Sequence, residues 1–269
     1  MKTIGIIAGN GRFPLLAAKE ARREGYQVAV CGIEKEADPA LEKMADEFTW
    51  VKLGELKKLV KFFRAHTVHE ALMAGKVEKV RIFQGNVRPD LEMIKVMAQL
   101  RDRKDDTLLG AVANYLHSEG IDLLDSTLFL KNALPGEGIL GKRKPSPGVM
   151  RDIHFGFLVA KSIAGADIGQ TVVVKNRAVM AVEAIEGTDR TIRRGGELGG
   201  GKVVVVKVAK PGQDMRFDIP AVGLGTLKEL IEVKAEALGF EAGKTIFLDQ
   251  EEFVQKANRK GIALVGVKA

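Results

Sequence analysis

Cysteine, aromatic residues and long apolar runs are all scarce in this sequence. The only cysteine among 269 residues is Cys31, so the chain cannot form an intramolecular disulfide. Aromatic residues make up 6% of the sequence, with one Trp and two Tyr, which argues against stacking platforms for single-stranded nucleic acid. The sequence has no run of about 18 apolar residues, and its first residues do not have the pattern expected of a secretory leader. We therefore expect a cytoplasmic protein without a membrane-spanning helix.

Histidine is also scarce, and acidic residues are outnumbered by basic ones. His66 and His69 are three residues apart, but no nearby His or Cys completes a zinc-binding set. Lys and Arg number 42 against 35 Asp and Glu, and the net charge of +7 indicates an anionic partner. Because the positive charges are scattered, we favour a small phosphorylated ligand over a nucleic acid.

The first 33 residues have the pattern of a β-α-β unit. Two apolar strands are predicted at 3–8 and 27–33, separated by a glycine turn and a helix. The turn's glycines let the backbone approach a ligand at the carboxyl end of the first strand. The predicted substrate-binding residues here are Gly9, Asn10 and Gly11. A third glycine of the dinucleotide fingerprint is lacking, so a nicotinamide-dependent enzyme is only a weak alternative.

Further candidates in the first half lie at predicted element ends. Lys76 follows an apolar run that starts at Glu70 and is predicted to be a strand. Open α/β sheets bind ligands at the carboxyl ends of their strands, so we predict that Lys76 contacts substrate. Asp106 and Thr107 precede a helix predicted over 108–118, and they are suited both to cap that helix and to contact substrate. Residues 121–130 predict a further strand.

The chain is predicted to contain two α/β domains with a cleft between them. Gly, Pro and Lys concentrate in residues 134–150, which we interpret as a linker between domains at 1–133 and 151–269. Alternating strands and helices in the first half predict a Rossmann-like parallel sheet. A hairpin turning at 176–177 predicts a mixed α/β domain in the second half. The glycines at 195–196 and 199–201 are expected in flexible turns.

The segment 210–226 combines a strand end, a charged loop and a helix start. The strand is predicted from four consecutive valines, 203–206, and the helix from a capping box that begins at Thr226. Such a helix start is a natural phosphate site. We predict Asp218 as a catalytic or metal-binding acid, although an ordinary surface turn is equally consistent with these residues. Asp214 is either a supporting acid or a turn cap.

Other substrate contacts are predicted around this segment. Lys210, Gln213 and Arg216 lie within it, and the two cations would neutralise phosphate oxygens. Thr188 and Asp189 lie in a loop of the second half, where either of them is also suited to cap a helix.

An ordered set of short motifs extends over essentially the whole chain. It comprises Gly9-x-Gly11-x-x-Pro14, Met73-Ala-Gly-Lys76-Val, Ile168-Gly-Gln170, Ala181-Val-Glu-Ala, Glu186-Gly-Thr-Asp189 and the segment Lys210 to Thr226. Together these motifs resemble the UDP-2,3-diacylglucosamine pyrophosphatase family of lipid A biosynthesis, the two-domain type distinct from calcineurin-like enzymes. Each motif alone is weak, whereas the ordered set is specific.

The resemblance implies hydrolysis of UDP-2,3-diacylglucosamine to UMP and 2,3-diacylglucosamine 1-phosphate (lipid X). It also implies a Mg²⁺ cofactor, a homodimer and an essential acid at Asp218. A substrate taken from the anionic inner leaflet suits the positive charge, so we expect peripheral contact with the inner face of the inner membrane. A non-catalytic protein that binds nucleotide or lipid in the same crevice is the alternative.

Overall fold

The computed structural model describes residues 2–77, 89–98, 100, 105–217 and 219–268, with the side chains of 105 and 106 excluded. The described chain forms two compact units. Unit 1 contains residues 2–130 and 214–217, and unit 2 contains residues 131–213 and 219–268. Within these ranges, no helix is long and apolar enough to cross a membrane.

Unit 1 is built on a five-stranded parallel sheet. Its strands are β1 (Thr3–Ala8), β2 (Gln27–Ile33), β3 (Glu47–Val51), β4 (Glu70–Ala74) and β5 (Asp122–Leu123). Their order is β3-β2-β1-β4-β5. The central strands are almost continuously buried because helices cover a parallel sheet on its faces. This arrangement confirms the predicted Rossmann-like domain.

In the part of unit 1 that the structure describes, five helices connect or flank these strands. They are α1 (Phe13–Arg23), α2 (Leu41–Met44), α3 (Leu56–Ala65), α4 (Leu91–Ala98) and α5 (Asp105–Ser118). Phe63 of α3 and Leu116 of α5 are fully buried in one apolar cluster. Phe217, from the separate segment 214–217, lies in the same cluster and is 4% exposed.

Unit 2 has a mixed six-stranded sheet and a two-stranded parallel pair. The large sheet contains β6 (Gly138–Ile139), β7 (Thr171–Lys175), β8 (Ala178–Val182), β9 (Val204–Lys207), β11 (Ala237–Glu241) and β13 (Ala263–Val267), and β10 (Ala221–Val222) pairs with β12 (Ile246–Phe247). The order in the large sheet is β6-β13-β11-β9-β7-β8. Strands β9, β11 and β13 are parallel, whereas β6, β7 and β8 join antiparallel. The predicted mixed α/β class is confirmed.

Helices cover both faces of the large sheet. The helices are α6 (Pro147–Gly165), α7 (Thr188–Leu198), α8 (Leu224–Glu232) and α9 (Gln250–Arg259). Val204 and Val206 pack with α6, whereas Val203 and Val205 pack in the cluster that contains side chains of α7, α8 and α9. Successive side chains of a strand point to opposite faces of the sheet, and helices cover both faces, so all four consecutive valines are buried.

Residues 134–150, interpreted from sequence as a linker, belong to unit 2. They contribute strand β6 and the first turn of α6. Ser146 caps α6 by accepting a hydrogen bond from the amide of Val149 at 3.3 Å, and Pro147 occupies the first turn. A serine followed by proline is a recognised helix start, so the signal was present in the sequence.

One predicted strand and one predicted turn are wrong. The strand predicted over 121–130 is only two residues long, because Asp125 accepts hydrogen bonds from the amide and hydroxyl of Thr127 and turns the chain. Gly195 and Gly196 lie inside α7 instead of in a flexible turn. A Cβ at Gly195 would lie 2.5 Å from Cβ of Val173, so close packing of helix on sheet requires the glycine there.

The predicted hairpin of β7 and β8 is confirmed. Asn176 and Arg177 have φ angles of 51° and 58°, the left-handed values that a two-residue type I′ turn requires. Both of their amides donate to the carboxylate of Asp152 at 2.8 Å. A buried acid of α6 therefore stabilises a turn that non-glycine residues seldom adopt.

Candidate functional site

The carboxyl ends of β1 and β4 form the first part of the candidate site. These strands are neighbours at the centre of the unit 1 sheet, where the strand order reverses. Three backbone hydrogen bonds join the segments that follow them: Gly9 to Ala74 at 2.8 Å, Asn10 to Lys76 at 2.6 Å and Lys76 to Asn10 at 2.9 Å. The structure thus brings together Gly9, Asn10 and Lys76 where open α/β sheets bind ligands.

The glycines of this crevice have different roles. A Cβ at Gly9 would lie 2.5 Å from the carbonyl oxygen of Lys76, so this glycine permits the close approach of the two segments. Gly11 has a φ of 101°, and a Cβ there would have no atom within 4 Å. Gly11, Asn10 and Lys76 are exposed. These three residues are therefore accessible from solvent, whereas Gly9 is buried.

Asp106 and Thr107 lie within α5, which begins at Asp105. The prediction that they cap a helix starting at residue 108 is therefore wrong. Thr107 is half-buried. Their predicted contact with substrate stays a prediction.

The segment 214–217 is fixed within unit 1 by the loop that follows β5. The amide of Ser126 donates to the carbonyl of Met215 at 2.9 Å, and its hydroxyl donates to the carbonyl of Arg216 at 2.9 Å. Phe217 inserts into the unit 1 core. Asp218 lies outside the described residues, so its predicted catalytic and metal-binding roles stay predictions.

Arg216 binds Asp214 through a bidentate ion pair. Its Nε and Nη2 atoms donate to the two carboxylate oxygens at 3.0 and 2.7 Å, and its amide donates to Oδ1 at 3.0 Å. Hydrogen bonds from Arg216 hold the pKa of Asp214 below its usual value. Asp214 therefore caps the turn, and an anion that binds Arg216 competes with this carboxylate.

Lys210 and Gln213 belong to a polar network in unit 2. The ammonium of Lys210, which is largely buried, forms a 2.6 Å ion pair with Asp167. The side-chain oxygen of Gln213 accepts from the Lys210 amide at 3.3 Å and from Nε2 of Gln170 at 3.2 Å. The predicted role of Lys210 at phosphate oxygens stays a prediction, and in the structure its ammonium balances the Asp167 carboxylate.

Thr188 is the first residue of α7 and connects two charged groups. The N-cap is Gly187, with no capping side chain, so neither Thr188 nor Asp189 caps the helix as predicted. The Thr188 hydroxyl donates to Oε1 of Glu183 at 2.9 Å and accepts from the ammonium of Lys207 at 2.6 Å. Burial by itself would raise the pKa of Glu183, but the charge of Lys207 and hydrogen bonds including that of Thr188 bring it below the usual value.

Asp189 lies at the helix start that was predicted to bind phosphate. Helix α8 begins at Leu224, so the predicted capping box starting at Thr226 is wrong. Instead, the Thr226 hydroxyl donates to Oδ1 of Asp189 at 3.1 Å. A carboxylate therefore already faces the first turn of α8, and phosphate binding there would bring two anions together unless a cation lies between them.

Sequence reasoning missed Lys207, Glu183 and Gln170 as members of this cluster. Glu183 and Gln170 stand in the recognised motifs, but their partners come from distant parts of the chain. The signal for Lys207 was a charged residue inside the apolar run 203–209, where all the other side chains are buried.

The predicted divalent metal ion would need carboxylates from these segments. In the described part of the chain, no group of three or more His, Cys, Asp or Glu could hold a metal ion. Mg²⁺ commonly takes one or two carboxylates together with phosphate oxygens and waters, so a substrate-bridged ion does not need such a group. Asp189, which uses Oδ1 to accept from Thr226, has a donor set compatible with such an ion.

Comparisons with known proteins identify relatives of the whole chain. Residues 3–133 match the model of the LpxI N-terminal domain, and residues 136–265 match that of the LpxI C-terminal domain. The chain is 32% identical over 280 residues to the UDP-2,3-diacylglucosamine pyrophosphatase LpxI of Caulobacter vibrioides, covering 99% of this chain and 98% of that protein. These matches confirm the resemblance found in the motifs.

Solved structures give only remote similarity. A glycinamide-RNase-transformylase T from Mycobacterium tuberculosis is 13% identical with a TM-score of 0.26, over 68% of this chain and 44% of that one. A phosphoribosylglycinamide synthetase from Anaerococcus prevotii is 13% identical with a TM-score of 0.27, over 71% and 42%. Scores this low carry no argument about the present fold or function.

Proposed function

Because the chain belongs to the LpxI family, we propose that it is a hydrolase cleaving the pyrophosphate of UDP-2,3-diacylglucosamine in lipid A biosynthesis. The observation that carries the proposal is the match of both domains together with 32% identity along 99% of the chain. Water adds to one phosphorus, the bond from that phosphorus to the bridging oxygen breaks, and a proton is released. The products are UMP and lipid X.

The crevice of unit 1 supports binding of the nucleotide part. Asn10, Gly11 and Lys76 are exposed at the strand ends, and backbone hydrogen bonds fix the two segments that carry them. We propose that these residues hold the uridine diphosphate moiety. The side chain of Lys76 supplies a positive charge suited to phosphate oxygens.

Asp218 is proposed as the acid that positions the attacking water or binds the metal. It follows a segment whose backbone is held by Ser126. Mg²⁺, when bound, would neutralise the pyrophosphate charge and lower the barrier to attack. Arg216 is proposed to contact phosphate.

The substrate's chemistry also bears on location and assembly. Two acyl chains anchor UDP-2,3-diacylglucosamine in a bilayer, and the chain has a net charge of +7. We propose a cytoplasmic homodimer that contacts the inner face of the inner membrane peripherally, and no nucleic acid partner.

A direct test incubates the purified protein with UDP-2,3-diacylglucosamine and Mg²⁺ and follows UMP and lipid X by mass spectrometry. We expect both products in equal amounts. Recovery of intact substrate bound to the protein would favour the non-catalytic binding protein instead. Running the reaction in ¹⁸O-labelled water shows which product carries the new oxygen.

A further inference from the structure

The outer face of helix α4 is apolar. Six of its eight residues are apolar, and Met93 and Val96 are buried against the core of unit 1. Leu91, Ile94 and Met97 are 74%, 49% and 42% exposed, and they are the only exposed large hydrophobic side chains in the part of unit 1 that the structure describes. Their spacing of three residues places them on one side of the helix. A helix with apolar residues on both sides requires an apolar environment on both.

The neighbouring helix α3 has a basic outer face. Its exposed residues include Lys57, Lys58, Lys61 and Arg64, and the helix contains no acidic residue. Lys57, Lys61 and Arg64 follow the i, i+4, i+7 spacing of one helix face. Arg64 is paired with Glu119 at 2.8 Å, so the lysines carry most of the charge of this face. The outer face of α3 therefore concentrates positive charge and would attract an anionic surface.

Asp90 joins the first turns of the two helices. One carboxylate oxygen caps α4 by accepting from the amide of Met93 at 2.9 Å, and the other accepts from the amide of Lys57 in α3 at 2.7 Å. The Asp90 amide donates to the carbonyl of Gly54 at 3.1 Å. The helices also contact each other and bury their inner sides in one apolar cluster. The apolar face of α4 and the basic face of α3 therefore point away from the sheet side by side.

Apolar side chains bordered by lysines fit the surface of an anionic bilayer. Such side chains enter the boundary between head groups and acyl chains, and the lysines are attracted to the anionic lipids. A second copy of this chain fits less well. Three side chains of an eight-residue helix supply much less than the roughly 800 Å² per partner of a standard interface. A two-fold arrangement through this surface would also bring two basic faces together.

We propose that α3 and α4 form a membrane-docking surface of unit 1. The proposal deepens the proposed function and rests on it, because the proposed substrate is a lipid with two acyl chains. The partner is the anionic surface of a lipid bilayer. Leu91, Ile94 and Met97 insert between the head groups, and the lysines of α3 bind lipid phosphates. Docking places the protein on the bilayer that holds its substrate.

Vesicle flotation tests the apolar side chains. The purified protein is mixed with vesicles of phosphatidylglycerol and phosphatidylethanolamine, and its partition coefficient is measured. Leu91→Ser with Ile94→Ser should lower partition by about tenfold or more, because two apolar side chains no longer leave water. Leu158→Ser with Leu198→Ser is the matched control, since these leucines of unit 2 are 69% and 67% exposed, and it should bind like the wild type. Wild-type partition in the Leu91 and Ile94 variant would mean that the proposal is wrong.

Lysine variants test the charge. Lys57→Gln with Lys61→Gln should lower partition by about fivefold for each lysine, and the loss should diminish as salt is raised. Lys19→Gln with Lys260→Gln removes the same net charge from exposed sites outside α3 and α4, and it should have little effect. A similar loss in this control would show that binding follows net charge alone, which rejects the proposal. Equally strong wild-type binding to phosphatidylcholine vesicles would reject it too.

Self-association through α4 predicts a different result. Circular dichroism and sedimentation velocity should show the same fold and the same oligomeric state for the wild type and for Leu91→Ser with Ile94→Ser. If these changes dissociate an oligomer, the apolar face lies between copies of the chain and the proposal is wrong. Should this variant not fold, the lysine variant and its matched control decide.

Turnover separates this surface from the proposed function. With Leu91→Ser and Ile94→Ser, UMP release should fall for UDP-2,3-diacylglucosamine in vesicles and match the wild type for the same substrate in neutral detergent micelles. An equal loss in both would mean that these side chains act on the substrate itself, and the docking proposal would be wrong. If the wild type releases no UMP in either, the proposed function is rejected, and flotation still decides whether α3 and α4 bind a bilayer.

Discussion

The hydroxyl of Ser126 donates to the carbonyl of Arg216 at 2.9 Å, and this bond joins residues 90 positions apart in the sequence. Ser126 is buried, and its amide also binds Met215. The two bonds hold the backbone immediately before Asp218, the acid proposed to carry catalysis. We therefore expect activity to depend on Ser126, although no role in the reaction is proposed for its side chain.

Replacing Ser126 by alanine tests this dependence. Ser126→Ala leaves the carbonyl of Arg216 without this donor, so the free energy of unfolding should fall by about 1–2 kcal/mol. We expect a lower kcat with little change in KM, measured as UMP release at saturating and limiting substrate. Ser118→Ala is the control, because its exposed hydroxyl donates to the carbonyl of Tyr115. A kcat equal to that of the wild type would show that the bond does not position the acid.

Asp218 is the first residue to mutate for the reaction itself. Asp218→Asn removes a negative charge with minimal change in size, and we expect kcat to fall by about 100-fold or more while the protein stays folded. Asp122→Asn, at an exposed site paired with His117, should leave kcat unchanged. Activity near the wild-type level in Asp218→Asn would remove this residue from the mechanism.

Metal dependence is checked by chelation. We expect dialysis against EDTA to abolish UMP release and added Mg²⁺ to restore it, because a metal ion neutralises pyrophosphate charge. Circular dichroism of the chelated protein should be unchanged. Full turnover after chelation would point to a mechanism that uses protein cations alone.

Glu241 should make stability depend on pH. It is 2% exposed and accepts hydrogen bonds from Lys161 at 3.0 Å, Lys244 at 2.9 Å and the amide of Ala209 at 2.9 Å. Burial alone would raise its pKa, but these bonds hold the pKa below the usual value. A depressed carboxylate pKa stabilises the fold above the unfolded value of about 4.3, and this contribution is lost as pH falls through the folded pKa.

The change Glu241→Gln measures that contribution. Near pH 7 the variant should unfold at a free energy about 3 kcal/mol lower than the wild type, because two lysines lose a buried partner. Chemical denaturation at a series of pH values should show the difference shrinking below about pH 4. Glu251→Gln, an exposed change in α9, should show neither effect. A difference that stays constant down to pH 3 would contradict the linkage.

Gly196 should be the position in α7 least tolerant of a side chain. A Cβ there would overlap Cγ1 and Cβ of Val233, so Gly196→Ala must move the helix. We expect a loss of about 1–3 kcal/mol by thermal denaturation. Gly110→Ala in α5 meets no atom within 4 Å and should be neutral or stabilising. The double change with Val233→Ala should recover part of the loss; no recovery would mean that this contact is not the cause.

The sequence alone predicted those elements whose signals are local. Strand β2 was predicted with its observed bounds, and the hairpin of β7 and β8 was predicted from its pattern of apolar residues around Asn176 and Arg177. These elements are specified by the pattern of apolar residues along each strand and by the residues of the turn, and both features depend on residues close together in the sequence. The family was likewise evident from short motifs in a fixed order.

Tertiary packing decided what the local signals left open. Gly195 and Gly196 were predicted in a turn, yet they lie in a helix, and its close packing against Val173 and Val233 leaves no room for a side chain at either position. The capping box at Thr226 was not used, because its hydroxyl binds Asp189, 37 residues away. The intrinsic helix propensity of a residue has little influence on local structure when a partner distant in sequence offers a better contact.

The sequence determined the class of each unit, the family and most of the polar residues of the candidate site. The tertiary structure decided that Phe217 packs into the core of unit 1 and that Thr188 orients a buried Lys207. The periodicity of apolar residues predicts which side chains are buried, but it does not predict which residues they pack against. Those partners are set by long-range packing and hydrogen bonding, which form only in the folded chain.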